Sequence, residues 1–311
     1  MRSAIEDFVM YLIGERNYSQ HTARAYRADL MQFAEYAEGE LGFEPKVEEL
    51  DRMLVRSFAG WMMNQGRKQR TVVRKLASIR SFQSYLHRRG LVNEQDWGRL
   101  APRQQQRSLP SVLEIEQVDR LMTLPRNDTP EGVRDLAIME LLYSSGLRVS
   151  ELIALDLPHI DIAEGLVRVR GKGSKERIVP VGSLALKALN RYIRDFRWHF
   201  VPVYGSRTEP QRRRIAQSTH ALFLSALGKR ISVERVRSIV TEYLRKVTRA
   251  QSVGPHLLRH ACATHLVERG ADLRDVQEIL GHSSVTSTQI YVSVAARRLT
   301  SIYEKAHPRA L

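Results

Sequence analysis

Apolar residues recur at helical spacing through the first third of the chain. Ile5, Phe8, Val9, Leu12 and Ile13 form one stripe, and Ala23, Tyr26, Leu30, Phe33 and Ala34 form a second behind Ser19, a residue type that caps helix N-termini. Two more helices are predicted near 54–63 and 69–88. The latter closes on Arg88-Arg89-Gly90, cations and a glycine that suit a helix C-terminus. Residues 1–100 therefore read as an all-helical bundle. The run Leu100-Ala-Pro-Arg-Gln-Gln-Gln-Arg-Ser-Leu-Pro110 breaks the pattern, because its prolines disfavour helix and its polar residues bury nothing; 101–111 is expected to be an interdomain linker.

From 112 to 311 the pattern is mixed. Helices are predicted at 114–124, 133–144, 149–155, 183–200, 233–250, 255–268 and 273–280, with two short ones closing the chain. Leu166-Val-Arg-Val-Arg170 and Arg177-Ile-Val-Pro-Val181 read as strands, joined by the hairpin connection Gly171-Lys-Gly-Ser-Lys-Glu176. Segment 201–220 shows no periodicity and carries Arg207, Arg212, Arg213 and Arg214, the pattern of a mobile basic loop. The expected fold class is mainly α in two domains: a helical bundle, then a mixed α+β domain with a small β-hairpin sheet.

Charge adds a partner class to this picture. The 49 Lys and Arg outnumber 34 Asp and Glu, and a surplus of +15 attracts a polyanion. Residues 1–103 hold 17 basic and 13 acidic side chains and the remainder 32 and 21, so the second domain is the stronger binder. A single cysteine excludes a disulfide framework and a Cys-rich metal module. No apolar run reaches the ~18 residues of a membrane span. The first sixteen residues carry Glu6, Asp7 and Glu15 rather than the basic start of a signal peptide, so the chain reads as cytoplasmic.

Several familiar sites are missing. The hairpin glycines lack the spacing of a phosphate loop, and His256-Leu-Leu-Arg-His260 lacks the glutamate of a zinc hydrolase and would set Arg259 against the metal. What remains is a set of cations and one phenol. Arg148 follows the turn Ser144-Ser-Gly-Leu147 at the start of a helix, where a guanidinium opposes the dipole; it could pair with Glu151 or hold two phosphate oxygens. Lys172 sits at the hairpin tip. His256 and Arg259 share one helix face, opposite Leu258, Ala261, Cys262 and Leu266. Gly281 ends a helix before His282, and Tyr291 follows nine residues later. In the first domain Arg67, Lys68, Arg70, Arg74 and Lys75 crowd the start of the fourth helix, either as a solvated face or as a phosphate-contacting edge.

Taken in order, Ser145-Gly-Leu-Arg148-Val-Ser-Glu-Leu152, Gly171-Lys172-Gly-Ser-Lys-Glu-Arg177, His256-Leu-Leu-Arg259-His-Ala-Cys-Ala-Thr-His265, Leu280-Gly-His282-Ser-Ser and Thr288-Gln-Ile-Tyr291 resemble the tyrosine recombinase (phage integrase) family. Tyr18-Ser-Gln-His-Thr-Ala-Arg-Ala-Tyr26 resembles the core-binding domain of its Xer branch, and His307-Pro-Arg-Ala310 that branch's C-terminus. The basic segment 201–220 departs from the compact Xer pattern. The absence of a further domain before Met1 departs from integrases that bind distant arm sites.

The resemblance implies a site-specific recombinase acting on double-stranded DNA, with 1–100 as the core-binding domain and 112–311 as the catalytic domain. Tyr291 would be the nucleophile of a 3′-phosphotyrosyl intermediate, Arg148 and Arg259 the clamp on the phosphate, Lys172 the general acid, and His256 and His282 hydrogen-bonding partners. Neither metal nor cofactor is implied. Arg212, Arg213 and Arg214 join the cations of the first domain as DNA-binding candidates. Four strands to cut imply a homotetramer, or a heterotetramer with a paralogous recombinase, and a cell-division DNA translocase is a further implied partner. The stripe Val294, Leu299, Ile302 and Tyr303 is expected to dock on a neighbouring protomer. Chromosome-dimer resolution is the expected task; a mobile-element integrase, a type IB topoisomerase-like enzyme and a non-catalytic accessory protein are the alternatives.

Overall fold

Four helices build the first unit of the structure, a computed structural model that describes residues 1–16, 18–93, 112–170, 176–201, 208–250, 253–281 and 292–310, without the side chains of His21, Arg213, Gln217, Ser218 and 292–297. They are α1 (Arg2–Gly14), α2 (Gln20–Leu41), α3 (Arg52–Asn64) and α4 (Gln69–Arg88). Ser19 Oγ accepts the N–H of Thr22 at 3.1 Å and Asp51 Oδ1 that of Leu54 at 2.7 Å, so each cap satisfies an N–H that the helix itself leaves unpaired. The predicted stripes converge on one core of Ile5, Phe8, Leu12, Leu30, Phe33, Phe58, Phe82 and Leu86. Full burial of each such side chain contributes about 1.5–3 kcal/mol, which makes this stripe rather than helix propensity the main support of the bundle.

By contacts the chain divides into Met1–Ser108 and Leu109–Leu311. The expected linker, 101–111, lies outside the described residues. The second unit contains α5 (Ile115–Thr123), α6 (Pro130–Ser145), α7 (Val149–Ala154), β1 (Ile160–Asp161), β2 (Leu166–Arg170), β3 (Glu176–Pro180) and α8 (Ser183–Arg191), followed by α9 (Glu209–Ser218), α10 (Val233–Val247), α11 (Pro255–Glu268), α12 (Leu273–Leu280) and α13 (Val292–Ala306). α6 is its axis: all its residues from Gly132 to Ser145 except Leu136 are buried, and α5, α8, α10 and α11 pack around it. The sheet is antiparallel in the order β1-β2-β3, with Val169 opposite Arg177. β1 was not expected, because two residues are too few to show an alternation. Among the described residues no helix is long and apolar enough to cross a membrane.

Three sequence expectations need correction. The helix predicted at 183–200 is α8 followed by a π-turn, Tyr192–Phe196, and a 3-10 turn, Arg197–Phe200. Its geometry answers to tertiary bonds: the buried Arg197 guanidinium donates to the carbonyls of Ala216, Thr219, Ala221 and Leu222, and the Tyr192 hydroxyl accepts the N–H of Leu224. Segment 201–220 is not wholly a loop, since 209–218 is α9. Thr208 precedes it and Pro210 lies in its first turn, an N-terminal signal that outweighs the absence of an apolar stripe.

The third correction concerns the C-terminus. Residues 292–306 form a helix, 282–291 lie outside the described residues, and the stripe on that helix folds back instead of awaiting a neighbour. Leu299, Tyr303 and Ala306 are buried in their own unit's core, with Ile302 packed against it. The Tyr303 hydroxyl lies 2.6 Å from Ser144 Oγ and accepts the N–H of Gly182 at 3.1 Å, polar bonds that an apolar count does not register. Val294 lies among the side chains outside the description.

Candidate active site

Gly146 ends α6 with φ +59°, and a Cβ there would lie 2.5 Å from Leu280 Cδ2. Only glycine takes this left-handed turn without strain, and the turn brings the start of α7 against the end of α12. Arg148 caps α7. Its backbone N–H donates to Glu151 Oε2 at 2.8 Å and its Nη1 to Glu151 Oε1 at 2.9 Å. The carboxylate at the third helical position thus reaches back to the cap, which explains how a cation is tolerated at a helix N-terminus. Arg148 remains part-exposed while Glu151 is buried.

Arg259, on α11, is buried with its neighbours Leu258 and Cys262. Its Nη1 donates to the carbonyl of Gly146 and its Nη2 to that of Leu280 at 2.7 Å, so this side chain straps the turn to the end of α12. Loss of water and then repulsion from Arg148 and Arg177 lower its pKa to about 10, which still leaves it charged at neutral pH. His256, three residues earlier on the same helix, is exposed. Arg177, from β3, completes the group: Nη1 and Nη2 donate to Glu151 Oε1 and Oε2 at 2.9 and 3.0 Å. Against the desolvation of burial, the Arg177 hydrogen bonds and the Arg148 N–H hold the Glu151 carboxyl below its ordinary range.

Two guanidiniums, Arg148 and Arg177, therefore share one carboxylate, Arg259 stands at the adjoining turn, and the cluster carries net positive charge. Such a charge complements a monoanionic oxygen group such as a phosphate diester. Sequence reasoning named Arg148 and Arg259 but treated Arg177 only as part of a motif and Glu151 only as a surface partner. The available signal was the Arg-x-x-Glu spacing of a helix N-terminus. Lys172, His282 and Tyr291 lie outside the described residues. The chain on either side of them is described, however: Arg177 directly follows the hairpin connection, and Gly281, directly before His282, would place a Cβ 2.9 Å from Arg177 Cζ.

The other candidates divide. Arg67, Lys68 and Arg70 are exposed at the start of α4. Lys75 is not part of a free basic edge: its Nζ lies 2.8 Å from the buried Asp29, which also binds Arg74 and accepts from Ser78 at 2.8 Å. A carboxylate buried in the bundle needs these partners, and that need explains the two cations. Arg212 donates to the carbonyls of His199 and Val201 at 2.8 and 3.2 Å and stacks over Trp198 at 5.1 Å, so its charge serves the packing of α9. Arg214 is exposed, and the Arg213 side chain and Arg207 are outside the description.

Comparison with known proteins adds an independent line. Residues 111–298 match the model of the phage integrase family, and residues 5–90 that of the phage integrase N-terminal SAM-like domain. A tyrosine recombinase XerC of Pelobacter propionicus is 42% identical over 306 residues, 98% of this chain and 95% of the relative. A tyrosine recombinase XerD of Listeria monocytogenes is 36% identical over 311 residues, all of both chains. Among solved structures, XerH site-specific recombinase bound to a palindromic difH substrate superposes with a TM-score of 0.64 at 19% identity, covering 98% of this chain and 84% of that one. The Tn1549 transposon integrase in complex with circular intermediate DNA gives 0.66 at 18% identity, covering 94% and 98%. At these identities the structural likeness speaks for the fold.

Proposed function

The chain belongs to the phage integrase family, the tyrosine recombinases, which cut and rejoin DNA through a tyrosine-linked intermediate, and from that premise we propose that Tyr291 is the nucleophile and the cation cluster around Gly146 its phosphate clamp. The observation that carries this reading is the meeting of Arg148 and Arg259 at one turn, with net positive charge and a part-exposed fork.

The chemistry follows from the side chains. Tyr291 Oη forms a bond to phosphorus as the bond from phosphorus to the 5′-oxygen breaks, which yields a 3′-phosphotyrosine and a free 5′-hydroxyl. The phenol, with an ordinary pKa near 10, gives up its proton to His256 or solvent during the attack. Lys172 gives a proton to the departing 5′-oxygen, and His282 donates a hydrogen bond to the phosphate. Arg148 and Arg259 stabilise charge on the non-bridging oxygens, where it builds up in the transition state. The protein ester keeps the energy of the broken bond, so a different 5′-hydroxyl can attack it and complete strand exchange.

The substrate in this reading is double-stranded DNA, gripped in part by Arg67, Lys68, Arg70 and Arg214. Recombination of two duplexes calls for four protomers, either copies of this chain or copies paired with a paralogue. The full-length likeness to XerC and XerD relatives supports chromosome-dimer resolution in the cytoplasm, with a cell-division DNA translocase as the further partner. Mapping the DNA bound in the native host supplies the site. On a nicked duplex carrying it, the wild type should form a covalent adduct, and Tyr291→Phe should form none while binding normally. Persistent adduct in the variant would overturn the assignment. Relaxation of supercoils without any specific site would favour the topoisomerase reading, and wild type that binds without any adduct the accessory one.

A further inference from the structure

We propose that Arg177 is a positioning residue for recombination: by holding Glu151 through both carboxylate oxygens, it limits that carboxylate's grip on Arg148 and keeps the rest of the Arg148 fork turned toward the scissile phosphate. The inference rests on the phosphate-clamp reading of Arg148.

Its ground is a charge balance in a confined place. Glu151 is buried, and a buried carboxylate must be matched by cations and hydrogen bonds. Arg148 on its own would supply both, and the pair would be neutral, so an incoming phosphate would have to compete with a carboxylate for the same planar fork. Arg177 changes that competition. It faces Glu151 with two parallel N–H groups at 2.9 and 3.0 Å, the strong geometry for a guanidinium on a carboxylate, whereas the Arg148 side chain reaches the same carboxylate through Nη1. A guanidinium has five N–H donors, and a contact through one nitrogen leaves the others available. With Arg177 the trio carries a net positive charge, to which Arg259 adds.

Arg177 also ties together the segments that carry the proposed chemistry. It stands on β3 directly after the connection that holds Lys172. Its Nε lies 3.4 Å from the carbonyl of Ile279, and its guanidinium lies so close to Gly281 that a Cβ there would push it aside. His282 is the next residue. One side chain therefore references the start of α7, the hairpin base and the end of α12 to each other, and its displacement would move all three.

The test compares wild type with Arg177→Gln and Arg177→Lys as full chains, by site binding, thermal unfolding and single-turnover cleavage of the nicked site. Arg177→Gln should cleave about 100-fold more slowly with binding nearly unchanged, the scale of a roughly one-ångström misplacement of a catalytic group. Arg177→Lys keeps the charge without the fork and should fall between the two. The decisive substrate carries a methylphosphonate at the scissile position, where an uncharged methyl replaces one non-bridging oxygen. With less charge to clamp, the gap between variant and wild type should largely close. A variant that is slowed equally on both substrates, as from a general loss of structure, overturns the proposal, and so does wild-type cleavage by Arg177→Gln on the phosphate. If Arg177→Gln does not fold, the same two-substrate comparison is made with Arg177→Lys. Failure of the wild type itself to form an adduct would instead strike the functional reading beneath.

Discussion

The buried C-terminal histidine makes stability depend on pH in a way that can be calculated. His307 is almost fully buried, its ring stacked on Tyr303 with centroids 4.5 Å apart. Its Nδ1 accepts the N–H of Arg309 at 3.1 Å and its Nε2 faces the carbonyl of Tyr143 at 3.4 Å, so the network assigns the neutral tautomer with the proton on Nε2. A second proton would go onto Nδ1 and point at another N–H. Burial first, then the nearby His265 and the cations Arg309 and Arg269, lower the pKa from 6.5 to about 3. The folded state therefore disfavours the proton that the unfolded chain accepts, and the stability contributed is complete above pH 6.5 and lost as pH falls toward 3. By pH 5 the unfolded histidine has gained its proton and the native one has not, a loss of about 2 kcal/mol, rising to about 3 kcal/mol at pH 4. Urea unfolding of wild type and His307→Gln at pH 7.5 and 5 measures it. Glutamine does not titrate, so the variant should start less stable but lose about 2 kcal/mol less between the two pH values; His265, also held below its ordinary value by burial, is common to both proteins and cancels. Parallel losses would refute the reasoning. Hydrogen-exchange protection in α13, taken relative to the intrinsic exchange rate at each pH, should fall in the same pH window, since His307 and Arg309 fasten that helix.

Lys172→Ala should slow cleavage by about 10²- to 10⁴-fold, the range for a general acid, and should recover on a substrate whose departing oxygen is sulfur, which leaves without a proton; Arg148→Ala should not recover there, and equal failure of Lys172→Ala on both substrates would remove the acid role. Gly146→Ala meets a left-handed backbone costing about 1–2 kcal/mol and a clash with Leu280 that adds about 1–3 kcal/mol, so a thermal unfolding shift equivalent to less than ~1 kcal/mol would contradict the turn described here. Arg212→Ala should lower stability and leave the salt dependence of DNA binding unchanged, whereas Arg214→Ala should reduce that slope by about one if it meets a phosphate. Binding titrations at several salt concentrations separate the two, and a changed slope for Arg212→Ala would return it to the DNA surface.

What the sequence determined by itself is the part of the protein governed by local pattern. The helices at 69–88, 255–268 and 273–280 were predicted to the residue, because an apolar stripe and its end signals are carried on contiguous chain. That Arg148 and Arg259 belong to one site came from the resemblance of the ordered blocks to the tyrosine recombinase family, since no local pattern joins residues so far apart in the chain. Tertiary structure decided everything that depends on a partner distant in sequence. β1 is two residues long and exists because β2 offers it an edge. The π-turn at 192–196 answers to Arg197 and Tyr192, whose bonds lie more than fifteen residues away. Lys75 looked available until Asp29 was seen buried beside it, and α13 looked unpartnered until Ser144 and Gly182 were seen to meet Tyr303. Arg177 has the widest consequence. On a strand it reads as one more solvated cation, and only the fold places it between Glu151 and Gly281, because charge pairing in a buried site depends on distance in space and leaves no period along the chain.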